Sequence, residues 1–489
     1  MATACSCQLT LGDLGSQQVC VDFQGGRIVT DAGLLALRQF DRQLGVLAGL
    51  AARLPDPRAQ RFVVHSGERL LTQLVYQILA GYEDCNDAQD LRQDPLFRIL
   101  ADLSPDDPQP LASGSTLARF QQAFTRRQAH LPVEQRTVRA EIDQALSQRL
   151  RIGNDYLVDL FVRTRRRPPA YVILDLDGWD DPTHGHQVLS GFHGYYDQHQ
   201  YFPLTICDGT TGFPLAVWLR PGTCHASTGA VDALRPLLRR LRAAWPEVLL
   251  LVRGDTGFAV PELYEFCERE GLLYALGYGS NAVLKARTAP WLADLQEYYH
   301  WYRHREPHVQ RFELLEDYQA ESWGRARRIV VKLEITPQGT NRRYVVTNLS
   351  GQPGGIYHGF YVQRGYVPEH PIEELKNDLR AERLSLHRFR ANGMKLLAHT
   401  LAYALVVLHR EATATVPEVA TATAGTLRQR LWKVGALVVT RARRILLRFS
   451  ESWPHQELWV RVQQALQQFV AEVRAACREG PAPLGGLLA

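Results

Sequence analysis

The chain has 489 residues, too many for one hydrophobic core and enough for about three or four domains. Hydrophobic residues make up 45% and charged residues 22%, which excludes a largely disordered or fibrous chain. A formal charge of +5 permits a nucleic-acid partner without demanding one, so the placement of the basic residues matters more than their sum.

Between residues 30 and 150 apolar residues recur with helical period, as in TDAGLLALRQFDRQLGVLAGLAARL and SGERLLTQLVYQILAGYED, which predicts a mainly helical N-terminal region. Asp84, Asp87 and Asp90 fall at helical spacing, and a capped, solvated surface explains them better than a metal site. In STLARF, Ser115 or Thr116 is placed to cap a helix carrying Arg119, a candidate DNA-facing residue. The run Arg163, Arg165, Arg166 and Arg167 ends at Pro168-Pro169, where the period changes.

YVILDLD reads as a strand and QYFPLTICDGTTGFPLAVWL as a hairpin turning at DGTTG. A Leu- and Arg-rich helix at 228 to 244 precedes the strand VLLLVRGD, and a helix opened by Pro261 precedes the strand LLYALGY. This order predicts an α/β fold and matches an RNase H-like core, an order that other α/β folds share. Residues 281 to 350 break into β-rich pieces, notably RRIVVKLEIT and RRYVVTNLS, before helical text resumes near Tyr361. The apolar stretch 396–408 is interrupted by His399 and Tyr403 and is shorter than the ~20 residues of a membrane span, so it reads as a buried helix and no membrane contact is expected. After the connector EATATVPEVATATAG, VVTRARRILLRF alternates like strand and LWVRVQQALQQFVAEVRAA has helical period.

Further basic clusters occur at Arg325, Arg327 and Arg328, at Arg342 and Arg343, and at Arg441, Arg443 and Arg444. For each, phosphate contact and a solvated face are equal readings. The eight cysteines show no CxxC spacing and no secretory segment is expected before them, which predicts a reduced, cytoplasmic chain. Cys5, Cys7 and Cys20 lack a fourth ligand at standard spacing, and no zinc is expected.

Three acidic residues stand where carboxylates can be aimed. Asp177 in YVILDLDGWD and Asp255 in VLLLVRGDTGF end strand-length apolar runs, and Glu369 in YVQRGYVPEHPIEELK opens a polar segment. Asp175 points to the same strand face as Asp177 and is a reserve ligand. Carboxylates far apart in sequence can hold the two divalent cations, roughly 3.5 to 4 Å apart, that assist phosphoryl transfer. With 51 acidic residues in the chain, the surrounding text has to decide.

That text is specific. VRGDTGFAVPELYEFCEREGLLYALGYGSNAVL resembles the second-aspartate region of group-1 DDE transposases from bacterial insertion sequences, with their R-G-D-S-G-F, P-E-L-Y, G-x-x-Y-x-x-G and N-x-x-L blocks. Thr256 stands where Ser is usual. GGRIVTDAGLLALRQFDRQLG, GYEDCNDAQDLRQDPLF, LASGSTLARFQQ, YQAESWGRARRIVVKLEI, RRYVVTNLSG and DLRAERLSLHRFRANGMKLLAHTLAYALVVLHR are similar to further blocks in the same order, over nearly the whole chain. Tyr361, Arg364, Glu369 and Lys376 resemble the Y-R-E-K signature, with one extra residue between Arg and Glu; Glu373 or Glu374 is the fallback for Glu369.

The resemblance implies a division into 1–165, a mainly helical DNA-end-binding region; 166–280, the first part of an RNase H-like catalytic core; 281–350, a β-rich insertion; 351–410, the second part of the core; and 411–489, a C-terminal α/β extension. It implies that Asp177, Asp255 and Glu369 are the catalytic metal ligands and that two Mg2+ ions, replaceable by Mn2+, serve hydrolysis and strand transfer. It implies DNA contacts for Tyr361, Arg364, Lys376, Arg253, Arg119 and the insertion residue Trp323, for which a core role is the competing reading. The implied substrate is double-stranded DNA, as terminal inverted repeats and target, handled by a homodimer in the cytoplasm. Competing functions are a catalytically lapsed DNA-binding descendant and a stand-alone metal-dependent nuclease.

Overall fold

The computed structural model describes residues 8–122, 137–365 and 371–479. Its centre is a mixed sheet of eight strands: β1 (Tyr171–Gly178), β2 (Leu204–Asp208), β3 (Pro214–Trp218), β4 (Leu249–Gly254), β5 (Leu273–Tyr278), β6 (Val309–Tyr318), β7 (Arg327–Thr336) and β8 (Gly339–Thr347). Their spatial order is β6-β7-β8-β5-β4-β1-β2-β3. The pairs β1–β4 and β4–β5 are parallel; all other neighbours are antiparallel. β4 is almost wholly buried, which explains why its sequence is continuously apolar rather than alternating. The expected hairpin is present: its turn closes when the Asp208 carboxylate accepts bonds from the Thr211 backbone N–H (2.9 Å) and hydroxyl (2.7 Å).

The β-rich segment after β5 does not form a separate sheet. β6, β7 and β8 extend the central one, because β8 pairs with β5 from Ala275 to Tyr278. Nor does that segment begin in β structure, as its sequence suggested. It opens with two helices, Ala282–Arg287 and Ala289–Tyr302. The local cause is capping: Asn281 Oδ1 accepts the Leu284 N–H at 2.9 Å, and Pro290 sits in the first turn of the second helix.

Among the described residues, helices surround the sheet or build the N-terminal part, and six of them position the site: α1 (Leu34–Leu44), α2 (Gly67–Ala80), α3 (Thr137–Thr164), α4 (Ala230–Ala244), α5 (Pro261–Arg269) and α6 (Phe389–Ala412). α4 and α5 connect β3 to β4 and β4 to β5. α6 is the apolar stretch read as a buried helix. It is long and apolar enough to cross a membrane, yet its most apolar window is completely covered by protein, packing against α2, α3 and β3. Its buried polar side chains hold the loop before it: Asn392 bonds both the N–H and the carbonyl of Leu386, Lys395 donates to the Arg383 carbonyl, and His399 to that of Leu379.

The two ends of the chain meet. The strand Ile28–Val29 pairs with Ala436–Arg441, which forms a hairpin with Arg444–Phe449, and a C-terminal helix α7 (Gln456–Glu479) packs on α1 and α6. Strand and helix therefore fall where VVTRARRILLRF and LWVRVQQALQQFVAEVRAA predicted them. The Asp84 side chain bonds the Asn86 N–H and the Asp87 side chain the Asp84 N–H, as a capped turn requires.

Candidate active site

The strand register sets the site. On parallel strands β1 and β4, Arg253 lies opposite Asp175 and Gly254 opposite Leu176. One residue further along each strand, Asp255 reaches the level of Asp177 at the carboxyl ends of the two strands. This is where an open α/β sheet leaves a crevice for ligands.

Asp175 is occupied. Its carboxylate takes two bonds from Arg253, at 2.6 Å from Nε and 2.7 Å from Nη2. Arg253 is itself buried, and its Nη1 donates to the Phe360 carbonyl at 2.8 Å. Room for the pair exists because residue 209 is glycine; a Cβ there would come within 2.6 Å of both partners. Asp177 has no such side-chain partner among the described residues. Burial pushes its carboxyl up to about 6; the negative charges of Asp255 and Asp175 act in the same direction, while Arg364 and the Gly178 backbone N–H oppose them. Asp255 is half-buried and caps the short turn Thr256–Phe258, its Oδ1 accepting the Gly257 N–H at 2.9 Å.

The segment after β8 brings the cation and the phenol. Arg364 is half-buried and its Nη1 points inward without a protein partner. The Tyr361 hydroxyl sits beside Gly277 on β5, where an added Cβ would come within 2.5 Å of it and 3.1 Å of the Thr256 nitrogen. Burial raises the Tyr361 pKa, Asp255 adds to the rise, and Arg364 counteracts it. A cavity of about 250 Å3 opens against these groups, lined among others by Asp177, Asp180, Tyr196, Asp208, Arg364 and Glu373. Lys376 reaches its rim and pairs with Asp180 at 2.8 Å.

Asp177, without a side-chain partner among the described residues, and the half-buried Asp255, beside an arginine with an unused donor, form a site for an oxyanion and a cation together. A model of the transposase DDE domain, group 1, matches residues 12–471. The chain belongs to the DDE transposase family. A search of curated proteins found no match. Among solved structures, a piggyBac transposase in a synaptic complex with hairpin DNA, determined by cryo-electron microscopy, is similar over 83% of this chain and 80% of that one, at 13% identity and a TM-score of 0.37.

The other residues singled out in this transposase's sequence have the following surroundings. Arg253 is buried, and Asp175, Phe360 and Gly209 take up its guanidinium. Trp323 is 4% exposed, packed against Tyr264, Tyr278 and Tyr318 with the Arg327 guanidinium over its ring, so no base can stack on it in this arrangement. Arg119 is exposed, but its helix starts at Gly114 with Ser113 in the capping position, and Ser115 and Thr116 lie inside it. Glu374 is no free ligand: it pairs with buried Arg410 and accepts the Ala424 N–H at 2.8 Å. Glu369 lies outside the described residues, and Glu373 lines the cavity.

Two contributors escaped sequence reading. Asp180 borders the cavity and binds Lys376; the doubled aspartate in DGWDD was its only signal. Thr205, opposite Asp177 on β2, lines the same cavity, and its Oγ1 accepts the Trp179 indole N–H at 3.0 Å.

Proposed function

We propose that this transposase excises and inserts an insertion-sequence element by cleaving DNA at terminal inverted repeats and transferring the freed 3'-hydroxyl to target DNA. The observation that carries the reading is the meeting of Asp177 and Asp255 at adjacent strand ends, with Arg364 turned toward them. The strand order β3-β2-β1-β4-β5, three antiparallel strands followed by two parallel ones, supports an RNase H-like core.

The donor chemistry fits magnesium. Hard carboxylate oxygens are the ligands Mg2+ prefers, and a divalent cation relieves the burial and mutual repulsion that raise Asp177. Among the described residues no three acidic, His or Cys side chains are grouped for a metal; the ligand set of this reading is Asp177 and Asp255 with Glu369 as third ligand, and Glu373, which lines the cavity, is its alternative. Bound there, two Mg2+ ions would acidify the attacking hydroxyl and neutralise the leaving oxygen.

The chain's own groups orient the phosphodiester. Arg364 Nη1 binds a non-bridging oxygen, which satisfies its buried donor. The Tyr361 hydroxyl, for which Gly277 leaves room, donates to the scissile group. Lys376 exchanges Asp180 for a flanking phosphate. A second protomer brings the other element end, as a homodimer in the cytoplasm.

Incubation of the purified chain with a labelled duplex carrying the gene's flanking repeat tests this. Nicking at the repeat end is expected with Mg2+, not with EDTA, and not with Asp255→Asn. Binding without nicking under any divalent metal would indicate a lapsed DNA-binding descendant, and cleavage without joining a nuclease.

A further inference from the structure

The C-terminal hairpin carries a pattern that folding alone does not explain. In its register Arg441 faces Arg444, Val439 faces Leu446 and Leu437 faces Arg448. Alternation puts all six on one side of the hairpin, while Ala436 and Val438, both buried, turn to the protein. Arg441, Arg444 and Arg448 are all exposed, and none has a side-chain hydrogen bond or ion pair among the described residues. Arg443 adds a fourth exposed cation in the two-residue turn.

Two contrasts give this face meaning. The other basic clusters are largely neutralised within the chain: Arg165 by Glu411 at 2.8 Å, Arg166 by Glu472 at 2.5 Å, Arg327 by Glu268 at 2.8 Å and Arg328 by Glu316 at 2.6 Å. The hairpin also sets Arg441 directly across from Arg444, a like-charged pair that weakens a two-stranded ribbon unless an anion lies between the two. The exposed Leu446 between the arginines supplies an apolar contact for a sugar face.

We infer that the outer face of this hairpin grips the phosphate backbone of duplex DNA, away from the carboxylate site. A polyanion with regularly spaced phosphates satisfies several guanidinium groups at once, whereas an isolated anion meets only the Arg441–Arg444 pair. The inference rests on the reading of the chain as a transposase acting on DNA.

The test is the salt dependence of affinity, measured by fluorescence anisotropy on the full chain with the terminal-repeat duplex and an unrelated duplex. For the triple variant R441A/R444A/R448A, binding to both duplexes is expected to weaken at least about tenfold at moderate salt. The slope of log affinity against log salt should become shallower by roughly 2 to 3, near 0.9 per lost phosphate contact. Melting temperature should hold or rise, since a like-charged pair is removed. The triple Arg→Lys variant should keep most of the slope. An unchanged slope, a loss confined to one duplex, or a lowered melting temperature would overturn the assignment. So would loss of binding to phosphatidylserine vesicles with DNA binding intact, which would mark the face as a membrane contact. Wild-type protein that binds duplex without cleaving it would sink the catalytic reading while leaving the slope comparison decisive for the hairpin.

Discussion

Arg253 and Asp175 form a buried, two-bonded ion pair across the parallel strands β1 and β4. The same guanidinium holds the Phe360 carbonyl, one residue before Tyr361, so the pair ties both aspartate-bearing strands to the segment that carries Tyr361 and Arg364. It is a positioning device, which explains why two aspartates on one strand face do different work.

Asp175→Asn should therefore destabilise the fold by about 3 kcal/mol, because it leaves a buried guanidinium without its counter-charge. Asp177→Asn should do the opposite. With a folded-state value near 6 against an ordinary 3.8, the ionised Asp177 opposes folding at neutral pH, and its contribution recovers only as pH falls from 6 toward 3.8. The amide should raise stability by up to about 3 kcal/mol in the absence of divalent metal while abolishing cleavage. Urea denaturation of both variants checks this; equal stability losses would show that the two aspartates share one role.

The third carboxylate can be sorted in the same way. Glu374→Gln should cost about 3 kcal/mol, since Arg410 is 4% exposed and loses its partner. Glu369→Gln should leave stability unchanged and abolish nicking, and Glu373→Gln should leave both nearly unchanged. Loss of nicking in Glu373→Gln with retention in Glu369→Gln would reassign the ligand.

Gly277→Ala tests the placement of the phenol. The new methyl meets the Tyr361 hydroxyl and must displace it, and a shift of about 1 Å at a reacting centre can cost on the order of 100-fold in rate. Tyr361→Phe should remove part of the same effect. In the double variant the two losses should not add; full additivity would separate Gly277 from Tyr361.

His399 predicts a pH response of stability. It is fully buried on α6, its Nδ1–H donating to the Leu379 carbonyl at 2.8 Å. Burial, then the nearby Lys395 charge, holds its pKa down to about 3. The unfolded chain takes up this proton near 6.5 and the folded chain refuses it, so the stability present above 6.5 is lost as pH falls toward 3, at most about 1.4 kcal/mol per pH unit. His399→Gln keeps a donor for Leu379 and has nothing to titrate. The wild type's advantage in urea midpoint should shrink steadily below pH 6.5, and a difference that stays constant with pH would refute the assignment.

Much was legible in the residues alone. Apolar runs ending in aspartate located β1 and β4, DGTTG located the hairpin turn, and the length and composition of 396–408 marked a buried helix, because these are properties of local period and local turn chemistry. The RGD block and its companions carried the family. The sequence left open whether Asp175 or Asp177 was free, whether Trp323 faced solvent, and which glutamate was committed to the core. Those answers depend on partners far away along the chain: Arg253 opposite Asp175, three tyrosines around Trp323, Arg410 beneath Glu374. A side chain's availability for chemistry is set by what the fold packs against it, and only the tertiary structure decides that.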